Sequence, residues 1–275
     1  ERFLDDVNVP QVLVSNGRAA MARISEAFFN HPERKMRFVG ITGTKGKTTT
    51  SYMVKSICEQ AGFKCGLVGT TGNMIGEKHI PSSKTTPDPI DLMRDLNEMV
   101  QAGVQVVVME VSAHALDMHR LGGMTFECGC YTNLSQDHLD YFGTVENIIK
   151  SFHKFAQLTS KAVIYNGSDA NTCKAMEGIE GKERITFGKT PECDYYPADI
   201  RHVSGLETHF QLMHHGASLG EIVLHVAGEH NVLNATAAAA AAMYVGVSFE
   251  DVAKGLAEFR GAGRRFEKKG EVNGI

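Results

Sequence analysis

The chain has 275 residues, 43% of them hydrophobic, and a formal net charge of −4. That length supports one large domain with a substantial core, or one domain and a fragment of another. No long basic run is present, which argues against nucleic acid as a partner, and no stretch reaches the ~18–20 apolar residues of a membrane span.

In chain order, a helical pattern around Ala19 to Phe29 is broken by His31-Pro32. Met36 to Ile41 is a short apolar run that reads as a buried strand. A loop rich in Gly and Thr follows, and then a helix from about Lys47 to Ala61. Further buried runs recur at Gly66 to Gly69, Gln105 to Met109, Cys128 to Thr132 and Ala162 to Tyr165. Helical patterns at Pro89 to Ala102 and Val145 to Leu158 separate them. This alternation predicts an α/β fold, a mostly parallel sheet with helices on both faces. The pattern changes after about Ile185. Leu206 to His214 and Glu221 to Val226 read as an antiparallel hairpin on the sheet edge, joined by a polar loop from His215 to Leu219. Helices are expected at Asn231 to Tyr244 and Ser248 to Phe259, the first containing the alanine-rich run that ends at Met243.

The cysteines stand at 58, 65, 128, 130, 173 and 193, and only Cys128 and Cys130 are close in sequence. No second pair has zinc-site spacing, so they read as buried, reduced thiols of a cytoplasmic protein. The acidic, polar opening from Glu1 to Pro10 does not resemble a signal peptide.

The segment Gly40-Ile41-Thr42-Gly43-Thr44-Lys45-Gly46-Lys47-Thr48-Thr49 lies between the first strand and its helix. Glycines there let backbone N–H groups approach phosphate oxygens. Lys47 supplies a point charge for the β- and γ-phosphates, and the Thr48 hydroxyl is a ligand for Mg²⁺. The spacing departs from the general phosphate loop, because Ile41 stands where the first glycine would be and Gly43 is the earlier glycine.

This variant, Thr-Gly-Thr-x-Gly-Lys-Thr, resembles the ATP loop of the Mur ligases and of the folylpolyglutamate synthetases. Thr48-Thr49 favours the Mur type, while Lys45 is more usual in the folate enzymes. Other segments resemble the Mur family in order, most of all the branch that adds the third residue of the peptide stem. Thr85-Thr86-Pro87 is similar to a loop that binds the nucleotide-sugar peptide. Glu110-Val111-Ser112-Ala113-His114 ends the most apolar strand, where a carboxylate faces the crevice of an α/β sheet. The resemblance implies that Glu110 holds Mg²⁺ with Thr48, and that Ser112 and Arg120 serve the muramoyl-peptide side. Thr132-Asn133-Leu134 followed by Asp137-His138-Leu139-Asp140 implies His138 at a second metal or at the γ-phosphate, oriented by Asp137 and Asp140. His230, Asn231 and Asn234 resemble residues that touch adenine, though Asn231 also suits a helix N-cap. Arg265, in an Arg-Arg-Phe-Glu form closer to the alanine-adding branch, resembles an arginine that meets ATP. Third-residue ligases carry a carbamylated lysine at a position that corresponds here to Phe152. Lys150 and Lys154 lie ~200° round a helix from it, so no carbamylated lysine is expected.

The resemblance implies an ATP- and Mg²⁺-dependent ligase that acts in the cytoplasm. It would join an amino acid to a UDP-muramoyl-peptide-like substrate through an acyl phosphate. Residues 1–35 would be the tail of a UDP-substrate domain, 36–266 the central ATP-binding domain, and 267–275 the start of a third domain. Without that third domain the chain is expected to bind nucleotide but not to complete ligation. A folylpolyglutamate-type ligase, a pseudomurein peptide ligase and an inactive nucleotide-binding module are the alternatives.

Overall fold

The computed structural model describes residues 8–262. Arg265 and the segment 267–275 lie outside the described residues.

Three parallel strands form the centre: β1 (Arg37–Thr42), flanked by β5 (Val106–Glu110) and β6 (Phe126–Tyr131). On the β5 side the sheet continues through β2 (Cys65–Gly69), β3 (Gly72–Ile75) and β4 (Lys78–Ile80). On the β6 side it continues through β7 (Thr159–Asn166), β8 (Glu183–Phe187), β9 (Tyr195–His202), β10 (Thr208–His214) and β11 (Ala217–Leu224). The strands from β2 across to β8 run parallel, while β2–β3–β4 and β9–β10–β11 pair antiparallel. Antiparallel strands therefore close both edges, where the sequence suggested one.

Helices cover both faces because the central strands are apolar on both. Val39, Ile41, Val106 and Val108 join one core with α2 (Lys47–Gln60), α8 (Glu229–Tyr244) and α9 (Phe249–Glu258). Phe38, Val107, Met109 and Phe126 join the other with α3 (Pro89–Gln101) and α6 (Val145–Gln157). This period-2 division of a continuous apolar run is what a strand buried on both faces produces. Residues 235–242 of α8 are all buried, and every one except Thr236 is alanine. Small side chains let that helix lie close to the sheet and to α2. The run is thus the packed helix expected. No helix among the described residues is long and apolar enough to cross a membrane.

The β10–β11 turn is tighter than the five-residue loop expected. His214 pairs with Ala217, leaving His215 and Gly216 as the two turn residues, with φ of 48° and 81°. Positive φ at both positions matches the twist of a two-residue hairpin, so Ala217 to Leu219 belong to β11. The shorter helices α4 (Ala113–Asp117), α5 (Leu139–Phe142) and α7 (Ala170–Ala175) fill connections on the β5–β7 side. Before the sheet, α1 (Gly17–Phe28) packs on α3.

The cysteines are free thiols, buried except for the half-buried Cys173. Burial pushes the Cys130 thiol up to about 12 and raises Cys128 as well. Neither is a thiolate near neutral pH, so neither supplies a nucleophile.

Candidate functional site

β1, β5 and β6 end at the same edge, and each contributes to one place. β5 and β6 lie on opposite sides of β1, so the chain changes direction across the sheet there. Such switch points leave a crevice beyond the strands' carboxyl ends.

β1 runs into the glycine loop, and α2 begins at Lys47. Its N-cap is Gly46, with φ of 87° and no side-chain cap. The first-turn N–H groups of a 14-residue helix therefore lack a capping side chain at this end, which suits an anion. Gly43 and Gly46 are required sterically as well as conformationally. A Cβ on Gly43 would lie 2.0 Å from Thr132 Oγ1, and one on Gly46 would lie 2.5 Å from Asn234 Oδ1. Lys47 folds over the loop, its Nζ donating to the carbonyls of Gly43 (2.6 Å) and Thr44 (3.2 Å).

β5 supplies Glu110, whose side chain is fully buried. Its Oε2 accepts from Thr48 Oγ1 at 3.0 Å and from Thr70 Oγ1 at 2.9 Å, and its Oε1 accepts from Thr70 N at 3.0 Å. These donors are all neutral. A buried carboxylate beside a threonine hydroxyl is an all-oxygen pair of the kind hard divalent cations take. Thr70, at the end of β2, was not singled out in the sequence. Its position just before Thr71-Gly72, after a buried strand, was the only signal.

A cleft of about 710 Å³ opens above these groups. Of the residues expected to bind ATP, it gathers Thr44, Lys45, Gly46, Lys47, Thr48, Thr49, His230, Asn231 and Asn234, together with Thr85. Only Gly43 lies outside its lining, and Arg265 falls outside the described residues. Thr70, Val226 and Phe259 also line the cleft. His230 is exposed. The two asparagines are buried and engaged: Asn231 Nδ2 donates to Ala227 O (2.7 Å), and its Oδ1 accepts from Asn234 Nδ2 (3.1 Å).

The residues expected on the acceptor side divide differently. Thr86 is fully buried; its hydroxyl donates to Glu110 O (2.9 Å) and accepts from Ser112 N (3.1 Å). Ser112 Oγ caps α4 through Ala115 N. Arg120 donates to Thr86 O (3.0 Å) and pairs with Asp88 (3.1 Å). These three fasten the Thr85-Thr86 loop to the end of β5. Thr85 faces the cleft, its Oγ1 3.0 Å from that of Thr70.

His138 does not join Thr48 and Glu110. It lines a small neighbouring pocket of about 40 Å³, with Ser112, His114 and Phe152. Thr44 and Lys47 line both spaces, so the two meet across the phosphate loop. His138 has φ of 51°, and its side chain is 58% exposed. Its Nε2 lies 3.8 Å from Asp137, and its ring meets that of His114 edge-on with centroids 4.8 Å apart. Burial and the neighbouring His138 hold the His114 pKa below its ordinary value. Phe152 is almost wholly buried, whereas Lys150 is exposed and Lys154 pairs with Asp117 (3.3 Å).

Comparison with known proteins bears on the family and the fold. Residues 41–242 match the family model described as the Mur ligase middle domain. A UDP-N-acetylmuramoyl-L-alanyl-D-glutamate–2,6-diaminopimelate ligase from Caldanaerobacter subterraneus subsp. tengcongensis is 39% identical over 257 residues, covering 93% of this chain and 52% of that protein. A solved ligase of the same name superposes with a TM-score of 0.78 at 27% identity, over 88% of this chain and 51% of the other. FPGS from L. casei shares the fold, with a TM-score of 0.76 at 15% identity over 95% of this chain and 72% of the other. The chain spans about half the length of the curated relatives it matches.

Proposed function

The chain belongs to the Mur ligase family, and we propose that it is the ATP-binding centre of a cytoplasmic ligase that joins an amino acid to a UDP-N-acetylmuramoyl-peptide precursor of the cell wall. One observation carries this reading. Thr48 lines the cleft with the glycine loop and Lys47, and its hydroxyl donates at 3.0 Å to the Glu110 carboxylate buried directly behind that lining. A cleft of about 710 Å³ falls within the ~300–1,000 Å³ range of small-molecule sites. The 39% identical relative supports the choice of acceptor class.

The chemistry needs positioning and neutralisation of charge more than a protein nucleophile. The acceptor carboxylate oxygen bonds to the γ-phosphorus as the bond to the β,γ-bridging oxygen breaks, giving an acyl phosphate and ADP. The amine of the amino acid then forms a bond to the acyl carbon, phosphate leaves, and the amine proton is released. The loop N–H groups and the start of α2 receive the phosphates. Lys47 exchanges its two loop carbonyls for phosphate oxygens. Thr48 and Glu110 fit Mg²⁺, since both offer oxygen: the threonine hydroxyl would keep its proton and give up its hydrogen bond to the carboxylate, leaving both oxygens to hold the ion. Mg²⁺ bound there would draw charge from the phosphate oxygens as the leaving group forms. Gly43, Thr44, Lys45 and Thr49 complete the phosphate site, while His230, Asn231 and Asn234 border the base end. Thr85 faces the acceptor, with Thr86, Ser112 and Arg120 holding its loop. His138 stands across Lys47, on the side from which an acceptor carboxylate would approach.

Calorimetric titration of the chain with Mg²⁺–ATP, beside Lys47→Ala, tests the reading. Binding by the wild type and a loss of roughly 100-fold in the variant are expected. Equal binding by the two would sink it.

A further inference from the structure

We propose that Asn133 and Thr132 are positioning residues that aim the phosphate loop, by pinning the backbone of Lys45 from behind. This inference rests on the nucleotide reading above. Asn133 Oδ1 accepts from Lys45 N at 3.0 Å, and Asn133 Nδ2 donates to Lys45 O at 2.9 Å. One amide side chain thus grips residue 45 by both of its backbone polar groups. Thr132 Oγ1 donates to the same carbonyl at 2.6 Å.

That carbonyl is therefore fixed toward the end of β6, away from the cleft, whose lining includes Lys45 and Gly46 but neither Thr132 nor Asn133. In a trans peptide the C=O and the following N–H point in opposite directions, and no cis bond occurs among the described residues. Turning the Lys45 carbonyl outward turns the Gly46 N–H inward, where a phosphate oxygen would sit. A glycine loop without such a grip has many conformations of similar energy, and nucleotide binding would have to order it. The grip supplies that order beforehand, as preorganised donors require. Asn234 closes the opposite side of Gly46, so the loop is confined between the end of β6 and the start of α8.

Other bonds separate this role from simple folding. Thr44 N donates to Asn133 O at 2.9 Å, and Ser135 N to Thr44 Oγ1 at 2.9 Å. These survive truncation of the Asn133 side chain and keep the loop attached while its peptide is free to rotate.

The test titrates Mg²⁺–ATP into the 275-residue chain and into Asn133→Ala, Thr132→Val and Thr132→Ser, and follows thermal unfolding without nucleotide. Asn133→Ala should bind ATP roughly 10-fold more weakly while unfolding close to the wild type. Thr132→Val should also lose affinity, and Thr132→Ser, which keeps the hydroxyl, should restore it. Wild-type affinity in Asn133→Ala overturns the proposal. If Asn133→Ala does not fold, the threonine pair decides: equal affinity in the Val and Ser variants overturns it, and loss in Val alone supports it. Failure of the unsubstituted chain to bind ATP overturns the nucleotide reading itself, before any substitution is compared.

Discussion

The two ends of the central strands handle charge in opposite ways. At the amino ends, Arg37 of β1 meets Glu127 of β6, with Nε 2.6 Å from Oε2, and Lys161 adds a second cation at 2.9 Å. The Arg37 guanidinium also donates to Val245 O at the end of α8 (3.0 Å). Opposite charges there cancel and tie strands to a helix. At the carboxyl ends, the carboxylate of Glu110 is more deeply buried but is met by two hydroxyls and an amide. Burying an ion without a counter-ion is costly. The fold accepts that cost at the end where glycines, a helix N-terminus without a capping side chain and a cleft converge. One end is organised for cohesion, and the other buries a carboxylate among neutral donors beside the cleft proposed to bind nucleotide.

Substituting the Glu110 carboxylate should have the largest effect. Glu110→Gln keeps the shape and removes the charge. The Mg²⁺-dependent part of ATP affinity should fall by roughly 10–100-fold, with little change in any Mg²⁺-independent part. Calorimetry with and without Mg²⁺ measures both, and an unchanged Mg²⁺ dependence would show that Glu110 is structural, like Glu127.

His138 sharpens the contrast within the carboxyl end. Its side chain is 58% exposed, and it lines the smaller pocket that shares Thr44 and Lys47 with the main cleft. His138→Ala should therefore leave ATP affinity within about 2-fold, while lowering acyl-phosphate formation from ATP and acceptor by roughly 10-fold or more. Equal loss in both measurements would move His138 into the nucleotide site.

Thr70 should matter less. Thr70→Val removes one of the donors to Glu110, while Thr48 Oγ1 and Thr70 N remain. A stability loss of about 1 kcal/mol is expected, read from denaturant unfolding. A stabilised variant would mean that the buried carboxylate does not depend on that hydroxyl.

Much of this division is legible in the sequence. β1, its glycine loop and α2 announce themselves through an apolar run, glycines and a Lys-Thr pair. Glu110 stands out because a charge ends the Val-Val-Val-Met run. Other features are hidden for physical reasons. β3 and β4 are only four and three residues long, too short for period-2 alternation to register. The turn between them, Gly76-Glu77, was their one available signal. β8 before its buried Phe187 and the outer part of β9 are half-buried or exposed, so no apolar run marks them. There the sequence shows only a change of pattern after about Ile185. Thr132 and Asn133 were visible as a motif, but their grip on the Lys45 peptide depends on backbone orientation, which side-chain chemistry does not encode. The fully buried Thr86 shows the reverse. A hydroxyl expected at a ligand is spent on fastening the loop that presents Thr85.

The smallest effect belongs to the amino ends, and it can be read as a pH dependence. Hydrogen bonding by Arg37, with Lys161 adding to it, holds the Glu127 carboxyl below its ordinary value of 4.5. The unfolded chain therefore binds this proton more readily than the folded one. The stabilisation is fully present above about 4.5 and is lost as pH falls through the lower folded value. Glu127→Gln should remove that component, so the gap in thermal midpoint between wild type and variant should narrow on acidification. Partial exposure of Arg37 keeps the effect modest, about 1 kcal/mol or less at neutral pH. ATP affinity should not change, because the pair lies at the opposite end of β1 from the loop. A gap that persists in acid would mean that Glu127 stabilises through packing, not charge. A change in ATP affinity would mean that the two ends are coupled through β1, and that separating cohesion from binding misdescribes the sheet.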